Sequence, residues 1–584
     1  MPKKASNSIK TDRVKQINKN GTIYVFERKK RYNPQKRYTE ILETRILGKL
    51  KPGESDIYND ANIEKNRPKR KSVPESKKTR KYRSGMIDII RHFSEVSGID
   101  GEMEVVLPGE EGIAQKLLTC AWYLFASDGD AMPGIRSWSK KYEGLLPYSN
   151  GPFTKDMYHA LFSELGRRED IRQALFRERA KRLGDGMVLA LDSSTFETEA
   201  SQISAGRKAM HKDGNIKKVY KIVNFYSIDN RCPVAYSLIP GNIPDCESVA
   251  NALQQLESLH LNDVEIISDN GYCTEDAIAR MIGSGRHFIT RIEADTEWVQ
   301  PLVARHRRTL EHGGGIIECD PLFSGVRSSV KREFRQKDGK IVEKKINVFI
   351  YFSSSNKSRD DIYFRETFGR YRHSLMNGTA LCDDRKAVES FAERYMEVER
   401  DPSGRITGIS ENAKNYDKKM KYNGYLVLIS DKESDKNAAL EKYRKREYIE
   451  EEIKNYKSHT GGGRARVWTD ETLEGQMLAE FLSLTLRESM CAKIRFLKDT
   501  LAKPNGEAEH DRAEPLKLER QLYNWLYKNA VHDILHWFDA VMTTEIEDGN
   551  EIVIWQTETS KRDRLFIEKI GIDITKNLVG ESGS

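Results

Sequence analysis

From Met86 to about Leu183 apolar side chains recur every three or four positions, in DIIRHFSEV, AQKLLTCAWYLFA and MYHALFSELGRREDIRQALFRERAKRL. That spacing predicts a domain of amphipathic helices. At Gly184 the pattern changes. MVLAL, KIVNFYSI and PVAYSLI are short runs of β-branched and aromatic residues between polar turns, and they predict three strands of one sheet. A helix from about Glu247 to Leu259, a strand VEIIS, a helix from Glu275 to Ile282 and a strand HFITRI follow. The resulting β-α-β-α-β alternation predicts an α/β fold, a mixed sheet with helical crossovers. Residues 296–420 interrupt it with a hairpin in KREFRQKDGKIVEKKINVFIYFSS, turning at Asp338-Gly339, and a charged helical stretch near Lys386 to Arg400; they are read as an insertion. The core resumes with the strand YLVLIS, a helix from about Lys436 to Tyr456 and another from Leu473 to Met490. After the polar linker KPNGEAEHDRAEP come one more helix, NWLYKNAVHDILHWFDAV, and a strand, EIVIW. Ahead of the helical domain, TIYVFE and TEILETRILGKL flank KKRYNPQKR in a hairpin pattern. No internal repeat is visible.

Composition narrows the class. The 584 residues are 38% hydrophobic, with a mean hydropathy of -0.67. An apolar run of about 18 residues is lacking and the start, MPKKASNSIK, has no apolar core, so a soluble protein without membrane span or secretory signal is expected. Seven scattered cysteines (Cys120, Cys232, Cys246, Cys273, Cys319, Cys382, Cys491) form no C-x-x-C pair, which fits a reducing cytosol and argues against a zinc ribbon or a disulfide framework. The net charge of +8 hides an asymmetry: residues 1–83 hold 25 Lys+Arg against 9 Asp+Glu, or +16, leaving -8 for the rest. A basic arm on an acidic body suits a polyanionic partner, nucleic acid first. The runs RPKRK and KKTRKYR, from Lys65 to Arg83, also fit a solvated linker, and both readings can hold together.

Candidate chemistry lies in carboxylates at strand ends. Asp192 closes MVLALD and Asp269 closes VEIISD before an Asn-Gly turn. Either alone reads equally as a turn or helix-cap residue. If neighbouring strand ends bring them together, two crowded carboxylates need a cation or a proton between them. Oxygen-only ligands without His or Cys favour a hard ion, Mg²⁺ or Mn²⁺, over zinc. In YRKREYIEEEIKNYK, a continuous helix would place Tyr443, Arg446, Glu450 and Lys457 within roughly 60° on one stripe. The same composition, with Glu447, Glu451 and Glu452 close by, also describes a solvated charged helix.

Tyr443-x2-Arg446-x3-Glu450-x6-Lys457 matches each position of the Y-R-E-K signature of a large group of bacterial insertion-sequence transposases of the DDE class, and the chain resembles that family. Asp192 in LALDSST looks like the family's first acid and Asp269 in SDNGY its second; SLIPGNIPDCESVANAL resembles the segment between them. The resemblance covers roughly residues 184–495 and implies an RNase H-like core flanked by helices. In it Asp192, Asp269 and Glu450 would bind two Mg²⁺ ions, with Mn²⁺ able to substitute. One ion would activate a water or 3′-hydroxyl and the other stabilise the leaving 3′-oxygen during in-line attack on a DNA phosphodiester. Tyr443, Arg446 and Lys457 would hold terminal phosphates and the opened strand, Arg bidentately and Lys as a point charge. In relatives that form hairpin intermediates an aromatic residue of the insertion stacks on a flipped base, and Trp298 is the candidate here, with packing as its other reading.

The implied protein is a cut-and-paste transposase, an endonuclease and strand transferase acting on double-stranded DNA, at the ends of an element and at its target. It would work as a homodimer in a synaptic complex, in the cytoplasm of a bacterium or archaeon, associated with the nucleoid. Residues 1–83 form its basic arm and hairpin, 84–183 a helical DNA-binding domain, 184–295 with 421–495 the catalytic core, 296–420 the insertion, and 496–584 a helical region for dimerisation. Two rivals remain from the same residues: a transposase-derived protein that binds DNA without cutting it, and an RNase H-like nuclease without strand transfer. Three further features carry less. Gly461-Gly462-Gly463 reads as a helix terminator, His459 as a capping or surface residue, and Ser193, Ser194 and Thr195 as turn residues.

Overall fold

The computed structural model describes residues 9–19, 21–33, 38–50, 79–210, 216–336, 339–378, 385–459, 466–501, 514–548 and 551–572. The triple glycine, Asp338, Cys382, most of the segment between Lys65 and Arg83 and most of the linker before the last helices lie outside them. The chain divides into two compact units, Met1–Thr79 with Ile546–Ile552, and Arg80–Glu545 with Val553–Ser584.

In the first unit, β1 (Lys10–Ile17), β2 (Ile23–Asn33) and β3 (Tyr38–Leu50) form an antiparallel sheet in that order. The predicted hairpin is β2 and β3. The hydrophobic pattern did not indicate β1, because KTDRVKQI is exposed almost throughout and pairs through its backbone.

A short strand, β4 (Thr79–Arg83), stands where the sequence suggested only linker; it joins a small sheet described below. The helical domain follows as predicted: α1 (Gly85–Ser97), α2 (Ile99–Val106), α3 (Glu111–Ala126), α4 (Ile135–Lys141), α5 (Lys155–Arg167) and α6 (Glu169–Leu183). Next come β5 (Val188–Glu197), β6 (Arg207–Met210), β7 (Ile216–Ser227), β8 (Cys232–Pro240), α7 (Asp245–Ser258), β9 (Glu265–Ser268), α8 (Glu275–Gly283) and β10 (His287–Ile292).

These strands lie in the order β8-β7-β5-β9-β10, with β7 antiparallel to β5 and β8, and β9 parallel to both its neighbours. This is the RNase H-like arrangement of a mixed sheet flanked by helices. After α9 (Gln300–Glu311), the hairpin of β11 (Ser324–Arg335) and β12 (Ile341–Phe352) departs from expectation. It does not stand apart from the core, because β12 pairs with β15 (Tyr425–Ser430), which pairs with β10, so the hairpin extends the central sheet. The reason is in β12 itself: INVFIYF is buried over seven consecutive residues, as only a strand covered on both faces can be. What remains of the insertion has its own small core, Tyr371, Val388, Ala392, Met396 and Ile409, built from α10 (Ser354–Asn377), α11 (Arg385–Tyr395), β13 (Met396–Arg400) and β14 (Ile406–Glu411), and is followed by α12 (Ala413–Tyr422).

The single helix expected from Lys436 to Tyr456 is two, α13 (Lys436–Arg444) and α14 (Glu447–His459). Behind them runs the 31-residue α15 (Asp470–Thr500), buried along most of its length. It crosses α5 at contact distance because both helices carry glycine there: a Cβ on Gly475 would collide with the Phe162 carbonyl, and one on Gly166 with that of Glu471. The C-terminal helix is likewise divided, into α16 (Glu514–Lys528) and α17 (Val531–Phe538), at Asn529-Ala530. It is followed by β16 (Met542–Asp548), β17 (Glu551–Gln556) and α18 (Lys561–Ile570), of which β17 was predicted. β16 lies between β17 and β4. Among the described residues no helix is long and apolar enough to cross a membrane.

Candidate active site

The two aspartates meet through strand register. β5 and β9 are parallel, Leu191 pairs with Ser268, and the next residues along each are Asp192 and Asp269. Asp192 does not end its strand as the sequence suggested. β5 continues to Glu197 against β7, so Ser193, Ser194 and Thr195 are strand residues, not a turn. Only the β9 side stops, and the vacated edge is where the carboxylates project. Asp192 lies behind this edge, and burial pushes its carboxyl up to about 6. The Arg446 guanidinium and the Ser193 N–H oppose that rise, whereas Glu450 and Asp269 add to it.

The third acid arrives on α14. Asp435 caps α13 by accepting from the Ala438 N–H at 2.8 Å, and Lys442 on α13 bridges Glu265 at 2.7 Å and Glu433 at 2.9 Å. Glu265 is the buried first residue of β9, so this ion pair seats α13 on the strand that ends at Asp269. The next residue, Tyr443, donates from its hydroxyl to Asp269 Oδ1 at 3.2 Å. Burial and the Asp269 charge raise the Tyr443 pKa, which keeps the phenol protonated as a donor.

The chain then leaves the α-helix. Arg446 N bonds Tyr443 O and Ile449 N bonds Arg446 O, i→i+3 contacts that overwind the turn. The stripe drawn on one continuous helix therefore does not exist, yet the turn still brings Tyr443 and Arg446 to Asp269 and Glu450 to Arg446. Arg446 Nη2 lies 2.5 Å from Glu450 Oε1 and 4.0 Å from Asp269 Oδ2, and only 14% of its side chain is exposed. Although burial disfavours its charge, the Tyr443 ring, Asp269, Glu450 and Asp192 together hold the guanidinium more firmly protonated than usual. Lys457 is set apart. Its Nζ sits 4.9 Å from the centre of the Phe196 ring, four residues along β5 from Asp192 and so roughly 13 Å away along the strand. Trp298 is half-buried against the main core with the Arg332 guanidinium 4.7 Å over its ring, an arrangement of packing. His459 faces the helical domain, its Nδ1 2.9 Å from Asp128 Oδ1.

Three residues that sequence reasoning passed over sit behind the acids. Glu452, which looked like one of several solvated glutamates on α14, is buried beside Asp192 and Glu488, and burial first, then those charges, push its pKa well up. The signal was present: Ile449, Glu452 and Tyr456 fall at core spacing on α14. Glu488, on α15, accepts from Asn455 Nδ2 at 2.8 Å. Asn224 pairs directly across from Asp192 on β7, buried, its Nδ2 without a partner. No sequence pattern marks it.

As donors, Asp192, Asp269 and Glu450 are hard oxygens only, the set that suits Mg²⁺ or Mn²⁺. Among the described residues no three acidic, His or Cys side chains are grouped tightly enough to hold an ion as they stand, and Glu450 is turned onto Arg446.

A family model described as a transposase DDE domain matches residues 183–486, more than half of the chain and all three acids. No curated protein matches. Among solved structures, a piggyBac transposase synaptic complex with hairpin DNA, seen by cryo-EM, is similar over 85% of this chain and 85% of that one, at 10% sequence identity and a TM-score of 0.33.

Proposed function

The chain belongs to the family of transposase DDE domains, and from that premise we propose that it is the transposase of an insertion sequence, which cuts DNA at the ends of its element and joins them to a target. The observation that carries this reading is the meeting of Asp192 and Asp269 on adjacent parallel strands, with Tyr443, Arg446 and Glu450 delivered to the same edge by one turn. A protein that only bound DNA would gain nothing from three carboxylates facing its phosphates.

Asp192, Asp269 and Glu450 would hold two divalent ions, which when bound supply Lewis acidity toward the attacking and leaving oxygens. The remaining work belongs to the protein. Arg446 offers a planar fork to a phosphate, and its burial fixes the fork in place before DNA arrives. Glu450 is paired with Arg446, so a Glu450 carboxylate engaged by a divalent ion would leave the guanidinium to the phosphodiester. Tyr443 orients Asp269 through its hydrogen bond. Lys457, distant from the acids, would grip the strand further along β5 as a point charge. The helical domain would recognise the ends, the region after residue 496 would support a homodimer, and the basic arm would add nonspecific affinity. In this reading the enzyme acts in the cytoplasm, on the nucleoid of a bacterium or archaeon.

The test is cleavage of DNA ends flanking the encoding gene, with Mg²⁺ or Mn²⁺, by the intact chain and by Glu450→Gln. Nicking at 3′ ends by the intact chain, and binding without cutting by the variant, are expected. Binding by both with cutting by neither would favour the noncatalytic reading. A supplied 3′-hydroxyl end separates strand transfer from simple hydrolysis.

A further inference from the structure

A cavity of about 310 Å³ opens where β10 ends against the insertion, lined among others by Arg291, Asp295, Arg394, Tyr395, Lys418 and Tyr422. Its volume is at the lower end of the range for small-ligand sites. It adjoins the acidic edge. Asn270, the residue after Asp269, donates from Nδ2 to Glu293 of the cavity wall at 3.1 Å, and the charge of Arg291 acts on Tyr443.

The charges inside are unevenly satisfied. Arg394 and Lys418 both face the single carboxylate of Asp295, at 3.7 and 3.6 Å, too long for a hydrogen bond. The other acids of the lining are engaged elsewhere: Glu293 accepts from Asn270 and lies 3.9 Å from Arg291, and Asp360 accepts from the Gly424 N–H at 3.1 Å. With Arg291 and Lys419 also in the lining, four cations face three carboxylates, and Arg394 and Lys418 share one of them, so a further anion would complete the site. The aromatic wall is held firmly: Tyr395 packs edge-on to Phe364 at 5.1 Å and against Phe391 at 4.9 Å.

We propose that this cavity is a subsite for one nucleotide of the DNA strand next to the cut phosphate, with Arg394 and Lys418 taking its phosphate and Tyr395 and Tyr422 lying against its sugar and base. The proposal rests on the transposase reading and adds to it where the strand runs. A phosphate matches what Asp295 supplies and presents more oxygens to both cations, and a tyrosine face accepts any base, so the subsite positions DNA without reading sequence.

The test steps 5-iododeoxyuridine through the DNA ends flanking the encoding gene, one nucleotide at a time, and photocrosslinks each duplex to the full chain. Positions adjacent to the cut should crosslink to peptides holding Tyr395 or Tyr422. In parallel, Arg394→Ala with Lys418→Ala should reduce the slope of log affinity against log salt by about one, the loss of a single phosphate contact. Crosslinks from those positions that land only elsewhere, in a chain that still cuts, would overturn the subsite and leave the transposase reading intact. So would an unchanged slope in a double variant that melts like the parent. If the intact chain neither binds nor cuts any end, the transposase reading fails and the subsite with it.

Discussion

Replacing Glu480 by Gln should stabilise this protein at neutral pH and not at acid pH. Glu480 lies on α15, 2% exposed, its carboxylate accepting from the Tyr456 hydroxyl and from Gln476 Nε2, each at 2.6 Å. Tyr456 belongs to α14, so this contact ties the helix carrying Glu450 to the buried spine. Burial pushes the Glu480 carboxyl from its ordinary 4.5 up to about 7, against the pull of those hydrogen bonds and of Arg466. Because the folded value is raised, the stability this group contributes is fully present below pH 4.5 and is lost as pH rises to about 7. That rise corresponds to roughly 3 kcal/mol. Gln keeps the shape and carries no charge, so its advantage over Glu should grow by about 2–3 kcal/mol between pH 5 and pH 8. Urea unfolding of both proteins at pH 5, 6, 7 and 8, followed by tryptophan fluorescence, measures that difference, and pH effects from elsewhere in the chain cancel in it. An equal advantage at pH 5 and pH 8 would refute the assignment of a strained buried carboxylate.

Other perturbations probe the site and its supports. Arg446→Ala should lower cleavage by about 10²–10³-fold, the usual loss on removing one preorganised donor, while retaining most affinity for DNA ends in a gel-shift assay. Arg179 is fully buried and joins α6 to Glu102 at 2.6 Å, to the Pro233 carbonyl and to Thr485. Arg179→Met should cost about 3–5 kcal/mol in denaturant unfolding, and adding Glu102→Gln should recover part of it, since the larger share of the loss is the carboxylate left behind. Changing Lys65, Arg67, Lys69, Arg70 and Lys71 to Gln should flatten the salt dependence of DNA binding, by up to about 4.5 in slope if every one meets a phosphate, and leave cutting of bound DNA unchanged; an unaltered slope would show that the arm is only a linker.

The order of elements was written in the periodicity of the chain. The switch at Gly184 from a 3.6-residue period to short β-branched and aromatic runs, and the alternation of strand and helix up to Ile292, were legible because periodicity, run length and residue type are local properties of the chain. Asp192, Asp269 and Glu450 could be singled out because a carboxylate after an apolar strand, or within the Y-R-E-K spacing, stands out locally. What the sequence could not decide is whatever depends on a partner far away in the chain. β1 and β4 have no apolar stripe and exist through backbone pairing with β2 and β16. The hairpin of β11 and β12 belongs to the core because β15, more than 70 residues later, returns to lie between β12 and β10. Glu450 and Glu452 are indistinguishable by composition. Packing of α14 on α15 exposes one and buries the other, since a turn of 3₁₀ geometry at Lys445-Arg446 sets the angle at which the helix meets the sheet. Periodicity specifies which face an element buries; only the assembled sheet decides which strand ends become neighbours, and hence which carboxylates share a site.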